Sequence, residues 1–486
     1  MNANNDFANN DFNSDFNNAK YPKESGSNSQ DPWKQNLNPS VIDAPMDEQP
    51  PEEAWLFDQW LMLGWERCQT ESWELALEAF GEALNIDPTA VPALHGQAIA
   101  HNGLGSFAIA IPILEDLLSQ TPRDANVWGN YGHALAGLDR HGEALRAYQQ
   151  CLKLEPKWAM AWQHLATTYQ ILADHEAAQQ SYKQALALDE SLVDSWYGYA
   201  TLCRRGQERE AALSAYSRVV VLDPNHKEAW NYQGVVLEGQ SRHEDAIASY
   251  DRALAIDDTY GDAWNNRGIA LEHQGNLADA IHAFEHSLAC DAQRPDVWNN
   301  YGLALDGLGD IRRAVQAFDQ ALILSDRQYW RAWVNRGWSL WKDQGYGVAI
   351  ENWETGLTSL RPNETSYRLG AGMLLYHKGR GHSQYATTQD HPLEYWQAAI
   401  ACFDQALSIL TPDAYTQWHL QVLQDAIITC RDANCPAPMQ TYLHQATDLL
   451  RRLTREATST ERKIELASQL ASFYQLTETS PDEPST

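Results

Sequence analysis

Residues 227–260 read KEAWNYQGVVLEGQSRHEDAIASYDRALAIDDTY. Numbered 1 to 34, this block has Trp230 at position 4, Gly234 at 8, Ala246 at 20, Tyr250 at 24 and Ala253 at 27. Thirty-four residues on, the same slots hold Trp264, Gly268, Ala280, Phe284 and Ser287, and one step further Trp298, Gly302, Ala314, Phe318 and Ala321. Backward steps reach Trp196, Trp162, Trp128, Leu94 and Trp60, each followed by Gly or Ala at 8, Ala at 20 and Tyr, Phe or Leu at 24. Position 32 is Pro88, Pro122, Pro156 and Pro224 in four of the blocks. Blocks begin near 57, 91, 125, 159, 193, 227, 261 and 295 without a gap. A ninth begins near 330, after one extra residue, with Trp333, Gly337, Ala349 and Trp353. A tenth begins near 364 and is split. Tyr367 and Ala371 belong to its first half and Ala399, Phe403 and Ala406 to its second, with an insertion at about 378–395 in the turn.

Small residues at 8, 20 and 27 let two short helices approach closely, and large residues at 4, 11 and 24 fill the space around them. An α-helix advances roughly 100° per residue, so positions 4, 7, 8 and 11 share one face, predicted to be core. Positions 2, 5, 6, 9, 12 and 13 share the opposite face. A lone helix pair cannot bury its apolar side, so neighbours must stack into a solenoid. A 34-residue period with these residues in these slots resembles the tetratricopeptide repeat family, over about three quarters of the chain. The resemblance implies an all-α fold: an α-solenoid of about ten helix-turn-helix repeats in a right-handed superhelix, with the second face lining its concave groove. The layout expected is an Asn/Asp/Ser/Pro-rich disordered tail at 1–54, the array at 55–413, C-terminal capping helices at 414–476 and a second tail at 477–486.

Composition narrows the partner. The formal net charge is −30, from 65 acidic and 35 basic residues, which argues against nucleic acid and against an anionic membrane surface. No run approaches the length and apolarity of a membrane span, and no basic-then-apolar leader opens the sequence, so a cytoplasmic protein is expected. Seven scattered cysteines read as reduced thiols. The tail repeats Asp-Phe at Asp6-Phe7, Asp11-Phe12 and Asp15-Phe16, a low-complexity pattern that is disordered or a docking motif for another protein. The first repeat carries Leu61, Met62 and Trp65 at outward positions, which the segment around Trp33, a second chain or a ligand is expected to cover.

The candidate site is the groove face. Asparagine recurs there: Asn130, Asn266, Asn300 and Asn335 at position 6, and Asn231, Asn265 and Asn299 at position 5. A side-chain amide both donates and accepts, so a row of them suits the main chain of an extended peptide. The row resembles the asparagine ladder in the repeat arrays of O-linked N-acetylglucosamine transferases, although no catalytic domain follows here. Acids occupy positions 2 and 12 of repeats six to eight: Glu228, Asp262 and Asp296, then Glu238, Glu272 and Asp306. They form either a solvated face or a trough for a basic partner. Trp338 and Trp341 stand three residues apart on the groove face of repeat nine, as an anchor for a partner or a patch covered by the insertion. The family's clamp for a C-terminal carboxylate needs Lys at position 5 and Asn at position 9, and this chain has neither. His377, His382 and His391 flank the insertion without a metal-ligand spacing.

No phosphate loop, nucleophile elbow or paired catalytic signature is present, so neither catalytic residues nor a cofactor nor a metal is expected. The function read from this is a non-enzymatic scaffold binding extended, preferably basic, protein segments in the groove. The alternatives are an assembly factor or accessory subunit, which brings in self-association through the terminal repeats, and a divergent enzyme with its activity in the C-terminal region.

Overall fold

In a computed structural model, which describes residues 52–363 and 366–476, the ring at position 24 lies directly on the backbone of position 8. A Cβ placed on Gly302 would come within 2.6 Å of the Phe318 ring, and one on Gly268 within 2.6 Å of Phe284. Only glycine fits beneath these rings, and that closeness makes these blocks tight helix pairs. The described residues form 23 α-helices and no strand.

Two compact units divide at Arg242/His243. The first holds α1 (Glu52–Gln69), α2 (Trp73–Ile86), α3 (Val91–Gly103), α4 (Phe107–Gln120), α5 (Ala125–Gly137), α6 (His141–Leu154), α7 (Ala159–Ile171), α8 (His175–Leu188), α9 (Val193–Arg205), α10 (Arg209–Leu222) and α11 (Lys227–Glu238). The second opens with α12 (His243–Ile256), α13 (Gly261–His273), α14 (Leu277–Cys290), α15 (Pro295–Leu308), α16 (Ile311–Leu324), α17 (Trp330–Gln344) and α18 (Tyr346–Ser359). It continues with α19 (Tyr367–Ala386), α20 (Leu393–Ile409), α21 (Pro412–Asp432), α22 (Pro436–Glu456) and α23 (Thr460–Gln475). Within each unit consecutive helices pack as antiparallel neighbours, the arrangement of an α-solenoid.

The first helix of each pair is buried on more sides than its periodicity suggests. Positions 3 and 10, outside the predicted face, are shielded by the neighbouring repeats: Ala93, Val127, Ala161, Ala263 and Val297 at 3, and Ala100, Ala134, Ala270 and Ala304 at 10. Position 4, expected to be core, is only half-buried at Trp128, Trp162, Trp196, Trp264 and Trp298. Its indole does something more specific. The Nε1–H donates to the backbone carbonyl six residues earlier, Trp128 to Pro122 at 3.0 Å, Trp264 to Asp258 at 2.8 Å and Trp298 to Ala292 at 2.9 Å. Each indole therefore pins the loop that enters its own repeat.

The turn inside each pair puts position 15 in the left-handed region, at Gly105, Gly275 and Gly309 but also at Glu71, Asp139, Ala173, Gln207 and Ser241. For a residue with a Cβ this conformation costs roughly 1 kcal/mol. The tight turn imposes it on each of the first eight repeats, whatever the residue.

The insertion differs from expectation. It is mostly helix rather than loop, lengthening α19 and α20 and leaving only a short turn at 387–392. Gly379 and Gly381 lie inside α19 because Phe403 and Trp353 press on it. A Cβ at these positions would meet those rings at 2.8 and 2.7 Å. In the first repeat Leu61 and Trp65 are half-buried, Trp65 edge-on to Phe80 at 5.1 Å, while Met62 is 67% exposed and Trp55, two turns earlier on the same face, 54% exposed. The Asp-Phe units, the segment around Trp33 and the C-terminal tail lie outside the described residues.

Gly302→Ala is expected to destabilise the second unit by about 1–3 kcal/mol through the clash with Phe318. Ala173→Gly, at φ 61°, is expected to stabilise the first by up to about 1 kcal/mol. Urea denaturation of the two variants checks both signs.

Candidate functional site

The groove-side asparagines are more deeply placed than a free surface row. Asn130, Asn231, Asn265, Asn266 and Asn299 are buried, and Asn300 and Asn335 are half-buried. The reason is the stacking itself: positions 5 and 6 of one first helix face the first helix of the next repeat. In the second unit this produces a rung between repeats. Asn300 Nδ2 donates to Asn265 Oδ1 at 3.2 Å, and Asn335 Nδ2 donates to Asn299 Oδ1 at 2.9 Å. Position 6 of each repeat thus bonds to position 5 of the one before. In the first unit Asn130 Nδ2 donates to the Asn126 carbonyl at 3.0 Å and pairs with His95 Nε2 at 2.9 Å. Burial keeps the His95 imidazole below its usual pKa, so it is neutral and free to accept.

Most of the acids are already matched. Arg294 reaches both Asp262, at 2.5 Å, and Asp296, at 2.6 Å. Asp306 accepts from Ser339 Oγ at 2.7 Å and forms an ion pair with Lys342. Glu228 lies 3.2 Å from His226 Nδ1, whose hydrogen bond holds its carboxyl below the usual range. Glu238 stands at the last residue of α11. Glu272 differs from all of these. It is half-buried, and burial pushes its carboxyl up to about 7, with only the adjacent His273 pulling it down. A uniformly ionised trough is therefore not what the fold builds: four of its acids have internal partners, and a fifth sits near half-ionisation at neutral pH.

Trp338 and Trp341 are half-buried and contribute to packing. Trp338 stands edge-on to Trp353 at 5.0 Å, lies under the Arg380 guanidinium at 5.7 Å, and its Nε1–H donates to His377 Nδ1 at 3.1 Å. Trp341 meets Tyr346 at 5.7 Å and Tyr385 at 6.4 Å. Tyr385 in turn stacks on Tyr346 at 4.0 Å, and the Tyr346 hydroxyl pairs with His382 Nδ1 at 2.6 Å. The covering residues belong to α19 and its lengthened end. Lys378 to Glu354 at 2.8 Å, Arg380 to Asp425 at 3.4 Å and Ser383 to Thr429 at 3.0 Å tie that end to α18 and α21. Burial lowers His382 to about 4 and His377 well below its ordinary value, so both are neutral. His391 is exposed on the turn, so the three histidines do not share one site.

Trp338→Ala is expected to cost about 2–4 kcal/mol of stability, as removal of a packed indole does, measurable as a lower melting temperature. Glu272 carries a pH signature. Its folded pKa is raised from 4.5 to about 7, so the folded state holds a proton that the unfolded state has released. Stability is therefore full below about pH 4.5 and is lost as pH rises through about 7. Glu272→Gln removes the ionisation. It is expected to match the wild-type chain at acidic pH and to exceed it above neutrality, by on the order of 2–3 kcal/mol, in urea titrations at the two pH values.

Comparison with known proteins follows the same lines. Models of the tetratricopeptide repeat match residues 204–261 and 301–353, residues 249–282, and residues 125–157 and 159–192. No curated protein matches in sequence. Among solved structures, one of a MamA protein is 23% identical over 35% of this chain and 92% of its own, with a TM-score of 0.33. The pilF protein of Pseudomonas aeruginosa is 17% identical over 46% of this chain and 100% of its own, with a TM-score of 0.41. YrrB, described as a TPR protein with an unusual peptide-binding site, is 20% identical over 37% of this chain and 92% of its own, with a TM-score of 0.35. With its helix pairs repeating every 34 residues and three repeat models matching along it, the chain belongs to the tetratricopeptide repeat family.

Proposed function

We propose that this chain is a non-enzymatic scaffold that holds an extended segment of another protein along the first helices of repeats seven to nine. The observation that carries the reading is the amide rung between repeats. By bonding to Asn265 and Asn299, Asn300 and Asn335 are held in fixed orientation, one per repeat. Each still has hydrogen-bonding capacity on its half-exposed side. Amides immobilised in this way lose little further freedom when they pair with a ligand's main chain, which favours binding. Pairing of Asp262, Asp296 and Asp306 with Arg294 and Lys342 makes the surface polar rather than strongly anionic, so a partner needs positive charge only where an acid is left unmatched. Trp338 and Trp341 enter this reading as the packed end of the surface rather than as exposed anchors. A cytoplasmic setting and a role within a larger assembly are compatible with it.

The test places a photo-cross-linking p-benzoylphenylalanine at Asp296, on the groove face, and in a second variant at exposed Glu244 on α12. The expected outcome in cells is a cross-linked partner segment from the first site alone, reduced about tenfold when Asn300 and Asn335 are both Ala, with helix content by circular dichroism unchanged. Equal labelling from both sites, or capture indifferent to the two asparagines, contradicts the groove reading.

A further inference from the structure

We propose that Glu272 is where the groove takes a cation from its ligand, a lysine ammonium or arginine guanidinium carried on the bound segment. The inference rests on the groove reading above and names the ligand chemistry at one slot of it. It comes from comparing two consecutive repeats of the same chain.

Asp306 is position 12 of repeat eight. Repeat nine supplies it with two partners, the Ser339 hydroxyl from position 10 at 2.7 Å and the Lys342 ammonium from position 13. Glu272 is position 12 of repeat seven. The corresponding slots of repeat eight hold Ala304 and Gly307, which offer no donor. Among the described residues the Glu272 carboxylate makes no hydrogen bond or ion pair, and the His273 imidazole beside it is the only group that lowers its pKa. Repeats seven and eight thus each place an acid at position 12, and only the second is given donors by the repeat that follows. The unmatched acid is half-buried, one turn beyond Ile269 on the face that carries Asn265 and Asp262.

A half-buried carboxylate without a partner is a costly group in the free protein, and an incoming cation removes that cost. The gain is greater than at an exposed acid, because the site is already partly dehydrated and the interaction is less screened. A lysine or arginine also suits the approach: its apolar stem lies along buried aliphatic surface while its head reaches the carboxylate. The position-13 slot admits a side chain if one neighbour gives way. A Cβ on Gly307 would press on the Leu277 side chain, with Cδ1 at 3.0 Å and Cδ2 at 3.5 Å, the far end of a flexible residue. A lysine built there stands where Lys342 stands one repeat later.

The experiment uses the full chain with two probes, acetyl-hexalysine amide and acetyl-hexaglutamine amide, titrated by calorimetry at low ionic strength and slightly alkaline pH. Hexalysine is expected to bind, and Glu272→Gln to weaken it about tenfold. Gly307→Lys is expected to weaken it to the same extent by neutralising Glu272 from within. Glu244→Gln, which removes the same charge from an exposed helix face, is expected to leave it unchanged. Equal losses from Glu272→Gln and Glu244→Gln would reduce the effect to net charge and overturn the proposal, as would no loss from Glu272→Gln. If Asn300→Ala with Asn335→Ala weakens both peptides while Glu272→Gln affects neither, the groove reading stands and this assignment alone fails. If neither peptide binds, both fail.

Discussion

The ring of position 24 resting on the bare backbone of position 8 is the contact on which the rest of the structure depends. At Gly64, Gly132, Gly268, Gly302 and Gly337 there is no room for a methyl group under Phe80, Tyr148, Phe284, Phe318 and Trp353. Protein interiors are packed to crystal density, so this contact sets how far apart the two helices of a pair can lie. The rings also reach the next repeat: Phe80 presses on Gly96, at position 6, where a Cβ would come within 2.3 Å. Tyr182 leans on Gly198, position 6 of the following repeat, where a Cβ would come within 2.4 Å. The same glycine-and-ring device therefore works within pairs and between them. With the separation fixed, alanines at positions 3 and 10 can close against the neighbouring repeat, and short amides at 5 and 6 can reach across.

Much of this was legible in the 34-residue period. Spacing alone placed the helix pairs, because Trp, Gly, Ala and aromatic residues recur at fixed slots. The amphipathic pattern misled on which side of the first helix is free. A helix wheel assumes one buried face, and this helix packs against its own partner, the second helix of the preceding repeat and neighbouring first helices. Asn265 and Asn299 therefore read as groove residues and lie in the joint between repeats. The left-handed turn at position 15 gave no signal, since Glu71, Ala173 and Gln207 are not residues that advertise it. The demand comes from the tightness of the turn and not from the side chain. The insertion read as a loop because Gly379 and Gly381 weaken its helix propensity, and only the rings of Phe403 and Trp353 explain why they are there. The pairing of Trp338 and Trp341 with α19 was likewise outside the reach of a one-dimensional pattern, which shows that two aromatics share a face but not what lies against it.

Electrostatics follow from the same geometry. In a chain of net charge −30 the groove acids read as a solvated face or as a trough for a basic partner; stacking brings Arg294 between Asp262 and Asp296, and Lys342 onto Asp306. Those charges serve the joints between repeats before they can serve a ligand. What remains for recognition is a row of oriented amides and one acid without an internal partner. Binding and stability thus draw on the same residues, and a substitution in the groove has to be read for both.

The central claim is that groove-side asparagines are joints between repeats, and a double-mutant cycle on Asn299 and Asn335 tests it most directly. Asn299→Ala, Asn335→Ala and the double variant are compared by urea denaturation of the full chain. The account predicts a coupling free energy of about 1 kcal/mol, the value of a hydrogen bond lost only once. Additive effects, with coupling below a few tenths of a kcal/mol, would contradict it.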